Sequence, residues 1–195
     1  MSRTSQLTRA TGETDISISL SLDGSGEGRR STGIGFFDHM LDAVARHGGL
    51  DLEVDASGDL QTGAHHTVED VGIVLGQAID EALGDRAGIT RFGHAVVPMD
   101  DARASAAIDV SGRPFVVFEG RIPSRVIGGF ETDLVEEFLR AVANNAKLTV
   151  HVTIERGNDP HHMTEAAFKA FARALRQALS FDPEVRGIPS TKGLL

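Results

Sequence analysis

Four of the eight histidines stand in two adjacent pairs, His65-His66-Thr67-Val68-Glu69 and His161-His162-Met163-Thr164-Glu165. Residues four apart share a helix face, so His65 with Glu69, and His161 with Glu165, can each meet one ion. Neighbouring residues differ by roughly a third of a turn, so the two imidazoles of a pair point apart and are better shared between two ions than stacked on one. The chain has no cysteine, which leaves imidazole nitrogen and carboxylate oxygen as the donors for a first-row divalent metal. His39 and His151 complete an inventory of six histidines and two glutamates, enough for two ions with about four protein ligands each and positions left open for water or substrate. One such motif alone is often surface polarity or a helix cap; its recurrence after a strand, at the same point of a repeat, favours metal binding. His94, a lone histidine in an apolar strand, is read as structural. His47, before Gly48-Gly49, could cap helix carbonyls or line a pocket. The glycine string at 24–28 is turn chemistry and lacks the spacing of a nucleotide loop.

Elements must place these side chains, and the sequence carries one pattern twice. The two histidine pairs are 96 positions apart (161 − 65), and the alternating runs Leu50–Val54 and Leu148–Val152 that precede them are 98 apart (148 − 50). Ile16, Ile18, Leu20 and Leu22 alternate with polar residues and predict a half-buried strand. A turn at Asp23–Gly28 would return the chain as a partner strand over Arg29–Ile34. Amphipathic segments at Phe36–Arg46 and 131–143, and helices over 68–83 and 162–179, complete a ββαβα unit in each half. An extra strand is expected near Ala95–Met99. Short turns between paired strands argue for antiparallel sheet with helices on one face, hence an α+β fold. The chain reads as a single domain, residues 1–195, built of two repeats, about 1–88 and 89–182, followed by an irregular tail over 183–195. The copies have diverged, since Val135 and Glu136 stand near the counterpart of His39, and Glu53 near that of His151.

Composition narrows the function. The 195 residues carry 19 Lys+Arg against 28 Asp+Glu, a net charge of −9, and neither Trp nor Tyr. No basic stripe or stacking aromatic is visible, so nucleic acid is not an expected partner. No apolar run reaches the ~20 residues of a membrane span, and the N-terminal segment does not read as a signal peptide. Together with the missing cysteines this fits a cytoplasmic protein.

Taken together, Phe36–Leu41 (FFDHML), Gly58-Asp59-Leu60, the segment from His65 to Ile73, Val97–Ala102 (VPMDDA), Ser111–Pro114 (SGRP), the stretch from Gly157 to Leu175 and Ile188–Gly193 (IPSTKG) resemble the imidazoleglycerol-phosphate dehydratases of histidine biosynthesis. The resemblance runs from Arg9-Ala10-Thr11-Gly12-Glu13-Thr14 into the tail. It implies an α+β duplication with two Mn²⁺ per active site and a homo-oligomer of 24 subunits. The implied reaction converts D-erythro-imidazole-glycerol phosphate into imidazole-acetol phosphate and water. The proton removed is not beside a carbonyl, so the leaving hydroxyl must be expelled from the carbon that bears the imidazole ring. A ring held as metal-bound imidazolate can push electrons outward, through a diazafulvene-like intermediate to an enol and then the ketone. His39, His65, His66, Glu69, His151, His161, His162 and Glu165 would hold the metals. Glu13 matches the family's N-terminal glutamate and is the candidate acid/base group, beside His65, Glu69, His161 and Glu165. Arg91, Arg113, Ser190 and Lys192 match positions that line the phosphate pocket, where guanidinium forks and a lysine charge suit phosphate oxygens. His39, His47 and Lys169 complete the implied substrate-binding set, and Asp100 and Asp101 could orient water or ligands. The tail is expected to lack a fixed path without a ligand or a neighbour, and to close over bound phosphate.

Two departures stand out. The family often has an acidic residue just before the first pair, whereas Thr62-Gly63-Ala64 stand here, leaving open what carboxylate buttresses that pair. Phe92 replaces a common tyrosine. Helices that each face two metals must share them with neighbours, so active sites are expected between subunits. A dinuclear hydrolase is the first alternative, and a non-catalytic metal-storage or scaffold protein the second. The tail with Ser190 and Lys192 and the absence of further aspartate ligands count against the former, and Arg113 with the tail against the latter.

Overall fold

The alternation of Ile16, Ile18 and Leu20 builds β2 (Thr14–Ser21), whose apolar side is fully covered. In the computed structural model, which describes residues 3–195, β2 pairs antiparallel with β1 (Thr4–Ala10) on one side and with β4 (Asp51–Gly58) on the other. A two-residue strand, β3 (Arg30–Ser31), runs parallel to β4 at the edge, giving the order β1-β2-β4-β3. The second sheet repeats this arrangement as β5-β6-β10-β7, from β5 (Phe92–Met99), β6 (Ala102–Asp109), β7 (Phe115–Glu119) and β10 (Thr149–Arg156). A small hairpin, β8 (Val126–Ile127) and β9 (Phe130–Glu131), follows β7.

Four helices lie on the inner faces of the sheets: α1 (Gly35–Gly48), α2 (His65–Leu83), α3 (Leu134–Ala146) and α4 (Pro160–Leu179). α2 covers β1 and β2, α4 covers β5 and β6, and the halves meet through α2 on α3 and α1 on α4. The α2–α3 crossing is close because Gly72 and Gly76 face α3: a Cβ at Gly76 would sit 2.5 Å from the Val142 carbonyl oxygen. Phenylalanines fill the interior. Phe37 stacks on Phe130 at 5.7 Å and meets Phe138 edge-on at 5.3 Å, and Phe138 stacks on Phe168 at 5.3 Å. Burial of these rings and of the Val, Leu and Ile side chains between the sheets is the main stabilising term.

The α+β architecture stands as expected, with three corrections of detail. The first half is led by an unexpected strand, β1, as the expected β5 leads the second, and the second half also carries the β8–β9 hairpin. Arg29–Ile34 does not return beside β2: only Arg30–Ser31 is strand, and it pairs in parallel with β4. β7 is likewise parallel to β10, so both sheets are mixed rather than antiparallel.

The tail lies against residues 86–91, where the two halves join, and is tied to them by backbone and arginine hydrogen bonds. Gly88 donates to the Gly187 carbonyl (2.8 Å), Arg91 Nη1 to the Pro189 carbonyl (2.7 Å) and Arg86 Nη1 to the Leu195 carbonyl (3.2 Å). Among the described residues no helix is long and apolar enough to cross a membrane.

Candidate active site

The candidate residues gather in three groups. The first surrounds the start of α2. His65 Nε2 lies 3.5 Å from Glu69 Oε2, the pairing that i,i+4 spacing predicts. The His66 ring stands at 87° to that of His65 and turns toward the β1–β2 hairpin. There its Nδ1 is 3.1 Å from both oxygens of Asp59 and 3.8 Å from Glu13 Oε2. Desolvation would raise the Asp59 carboxyl, but hydrogen bonds from His66 and Thr62 outweigh it and hold the group below the usual carboxylate range. The same bond raises His66 above an ordinary imidazole. An ionised carboxylate only accepts, so Nδ1 carries the proton and the Nε2 lone pair is free for a metal.

The second group surrounds the start of α4. The Asp159 side chain caps the helix by accepting from the His161 backbone N–H at 2.9 Å, with Pro160 at the first position. His161 Nε2 is 3.3 Å, and His39 Nε2 from α1 is 3.8 Å, from Glu165 Oε2. Lys169 Nζ donates to Glu165 Oε1 at 2.6 Å. Burial would raise Glu165, but the hydrogen bond and charge of Lys169, together with the two imidazoles, hold it down. His162, turned 79° from His161, brings Nδ1 to 2.7 Å from Asp101 Oδ1 and Nε2 to 3.4 Å from Asp100 Oδ2. That bond, with backbone donors from Asn158 and Asp159, takes Asp101 down to about 2, and it raises His162 in turn. Half-buried His47, at the end of α1, is lowered by burial and by the charges of Lys169 and Arg173.

The third group lies at the far side of the second sheet. His151 and His94 both line a cavity of about 310 Å³ with Phe92, Asp109 and Thr149. His94 is therefore exposed rather than packed as a core histidine. Arg91 grips Asp109 with Nε (2.7 Å) and Nη2 (3.1 Å), while its Nη1 holds the tail at Pro189. Arg113 stays on the Ser111 side of the same strand end, its Nη1 3.4 Å from the Ser111 carbonyl. Within the tail the Ser190 hydroxyl accepts from the Lys192 backbone N–H at 3.2 Å, and the Lys192 side chain is exposed.

Asp59 is the residue that sequence reasoning missed. It supplies the carboxylate that Thr62-Gly63-Ala64 do not, from the end of β4 rather than from the helix start. Imidazole nitrogens and carboxylate oxygens thus lie beside one another at both helix starts, with a carboxylate on Nδ1 of His66 and of His162, a donor set that fits a divalent first-row cation. Among the described residues, no three such side chains form a site that could hold an ion by themselves.

A sequence profile of imidazoleglycerol-phosphate dehydratase matches residues 32–175. An imidazoleglycerol-phosphate dehydratase of Acidiphilium cryptum is 58% identical over 196 residues, and one of Acetivibrio thermocellus 54% identical over 195, each alignment covering both chains completely. The crystal structure of the Staphylococcus aureus enzyme superposes with a TM-score of 0.83 at 41% identity, covering 92% of this chain and 99% of that one. The Pyrococcus furiosus enzyme, solved in complex with the compound (S)-C348, gives 0.83 at 36% identity and covers 97% and 100%. By sequence and by fold, the chain belongs to the imidazoleglycerol-phosphate dehydratase family, the hydro-lyases of histidine biosynthesis.

Proposed function

We propose that the chain dehydrates D-erythro-imidazole-glycerol phosphate to imidazole-acetol phosphate in the cytoplasm, at sites that hold two Mn²⁺ and are completed between subunits of a homo-oligomer, a 24-mer as in the family resemblance. The observation that carries this reading is the parallel construction of the two histidine pairs. In each, one imidazole converges with the glutamate one turn on, and the other is held by a carboxylate on Nδ1. His39, His65, His66, Glu69, His151, His161, His162 and Glu165 would hold the metals. Bound there, two cations would supply Lewis acidity that favours the anionic form of a planar heteroaromatic ring, whose electrons then serve to expel hydroxide.

The chain's own groups do the rest. The C–O bond to the ring-bearing carbon breaks as the ring's electron pair moves outward, and the departing hydroxide takes a proton to leave as water. A base removes the proton from the neighbouring carbon, the diazafulvene-like species becomes an enol, and the enol becomes the ketone. Glu13, exposed on its hairpin and beside His66, is placed for such transfers. Arg91, Arg113, Ser190 and Lys192 would supply donors for the phosphate, with Arg91 also holding the tail that brings Ser190 and Lys192, and His39, His47 and Lys169 would complete the substrate contacts. Because the donors on α2, α4 and β10 form no ion site within one chain among the described residues, neighbouring copies would complete each other's sites.

The test is to strip the protein of metal, restore Mn²⁺, Zn²⁺ or Mg²⁺ separately, and follow ketone formation from imidazole-glycerol phosphate. Product with Mn²⁺ is expected; no product with any metal removes the proposed function.

A further inference from the structure

Asp70 is a buried carboxylate that the reaction, as described, does not use. It sits on α2 one turn beyond His66, on the same face of the helix. The Thr14 hydroxyl donates to Asp70 Oδ2 at 2.5 Å, and Arg9 Nη1 pairs with the same oxygen at 2.5 Å. Arg9 lies near the end of β1 and Thr14 begins β2, so the two partners flank the turn Thr11-Gly12-Glu13. Inside that turn, the Thr11 N–H donates to the Thr14 carbonyl at 2.8 Å, and the Thr11 hydroxyl accepts from the N–H groups of Glu13 (3.1 Å) and Thr14 (3.0 Å). The Asp59 N–H donates to the Glu13 carbonyl at 3.1 Å, and the Asp59 carboxylate holds His66. A closed circuit therefore runs from Asp70 through Thr14 and Glu13 to Asp59, to His66 and back along one turn of α2. The turn is otherwise exposed, with nothing within 4 Å of a Cβ built on Gly12. Its position relative to the helix rests on these bonds and on the close approach of Gly58 to Thr67, where a Cβ would meet Thr67 Oγ1 at 2.0 Å.

We propose that Asp70 is a positioning residue for the dehydration: by holding Thr14 and Arg9 it locks the Glu13 hairpin onto the face of α2 that carries His66. The inference rests on the proposed reaction, in which Glu13 moves a proton. Asp70 touches no reacting atom. It acts by fixing where the Glu13 carboxylate stands, and a displacement of about 1 Å at such a group costs on the order of 10- to 100-fold in rate.

The test uses the assembled, Mn²⁺-loaded enzyme and reads kcat and KM separately for Asp70→Asn, Thr14→Val and Thr14→Ser, alone and in a Glu13→Gln background. Asp70→Asn and Thr14→Val should each lower kcat about tenfold with KM within about twofold, while Thr14→Ser, which keeps the hydroxyl, stays near wild type. In the Glu13→Gln background the Asp70→Asn and Thr14→Val losses should shrink to less than about twofold, because the group they position is gone. Equal losses with and without Glu13, or an unchanged kcat in both single variants, overturn the proposal. Should Asp70→Asn fail to fold, the Thr14 pair decides alone. Failure of the wild-type enzyme to form product would instead remove the proposed function, so the two failures are read apart.

Discussion

Replacing Asp59 by asparagine measures how far the metal affinity of the first histidine pair depends on a carboxylate outside it. Both Asp59 oxygens face His66 Nδ1 at 3.1 Å, which commits the ring proton to Nδ1 and the lone pair to Nε2. An asparagine offers one acceptor and one donor, removes the negative charge that makes the imidazole a better ligand, and admits the opposite tautomer. Loss of such a partner costs 10- to 100-fold in metal affinity in general. The contact here is long, divided between two oxygens and 19% exposed, which places Asp59→Asn near the lower end, about tenfold. Asp101→Asn leaves one oxygen, which can serve either His162, at 2.7 Å in the wild type, or the Asn158 (2.6 Å) and Asp159 (3.2 Å) backbone N–H groups, but not both, and it removes the charge. Its loss should approach about a hundredfold, with some fraying of the first turn of α4. Titration of metal-free protein with Mn²⁺, reading free Mn²⁺ by electron paramagnetic resonance, resolves both. Wild-type affinity in both variants, or a larger loss for Asp59→Asn than for Asp101→Asn, would refute this ordering.

Complete chelation should dissociate the assembly as well as abolish activity; light scattering that finds intact particles without metal would contradict sites shared between copies. Phe138→Ala empties a fully buried position between Phe37 and Phe168, and should cost about 3–5 kcal/mol, lowering the melting temperature by roughly 6–20 °C in calorimetry. Asp23 is held below its usual value of 3.8 chiefly by the Arg3 hydrogen bond, so its contribution is present above about pH 4 and is lost as pH falls through the lowered folded value. The pair is half exposed on the aspartate side, so wild type should exceed Asp23→Asn by less than about 1 kcal/mol in urea unfolding near pH 6. That difference should vanish on acidification; a difference independent of pH would show that the ion pair is not its source.

The sequence announces those elements whose side chains obey a period. β2, α1, α2 and α4 are legible because their apolar residues alternate or recur at helical spacing, and the histidine pairs are legible because one pattern occurs twice. β1 is not, since Thr4, Ser5, Gln6, Leu7, Thr8 and Arg9 place only Ser5 in a buried position, with Leu7 and Arg9 partly so. Its strand character comes from its register with β2. β3 and the parallel pairing of β7 depend on β4 and β10, which lie far along the chain. The β8–β9 hairpin carried a readable signal in Gly128-Gly129 between Ile127 and Phe130. His94 is exposed, as are Phe92, Val96 and Pro98, which share its side of β5, so an apolar strand there does not mean a buried one. Asp59 is not legible as the buttress of His66 because it does not adjoin the pair: the bend after β4 brings it back from seven positions upstream.

The claim that catalysis needs donors from different copies is tested most directly by mixing two inactive variants. His66→Ala removes a ligand at α2, and His162→Ala one at α4. Each is to be stripped of metal, combined in equal amounts, and reassembled with Mn²⁺ before imidazole-acetol phosphate is measured. If each site joins the α2 group of one copy to the α4 group of another, about a quarter of the sites regain both intact groups, and activity returns to about a quarter of wild type. Mixed particles as inactive as either variant alone would show that both groups serve one site from the same chain, and would contradict the account.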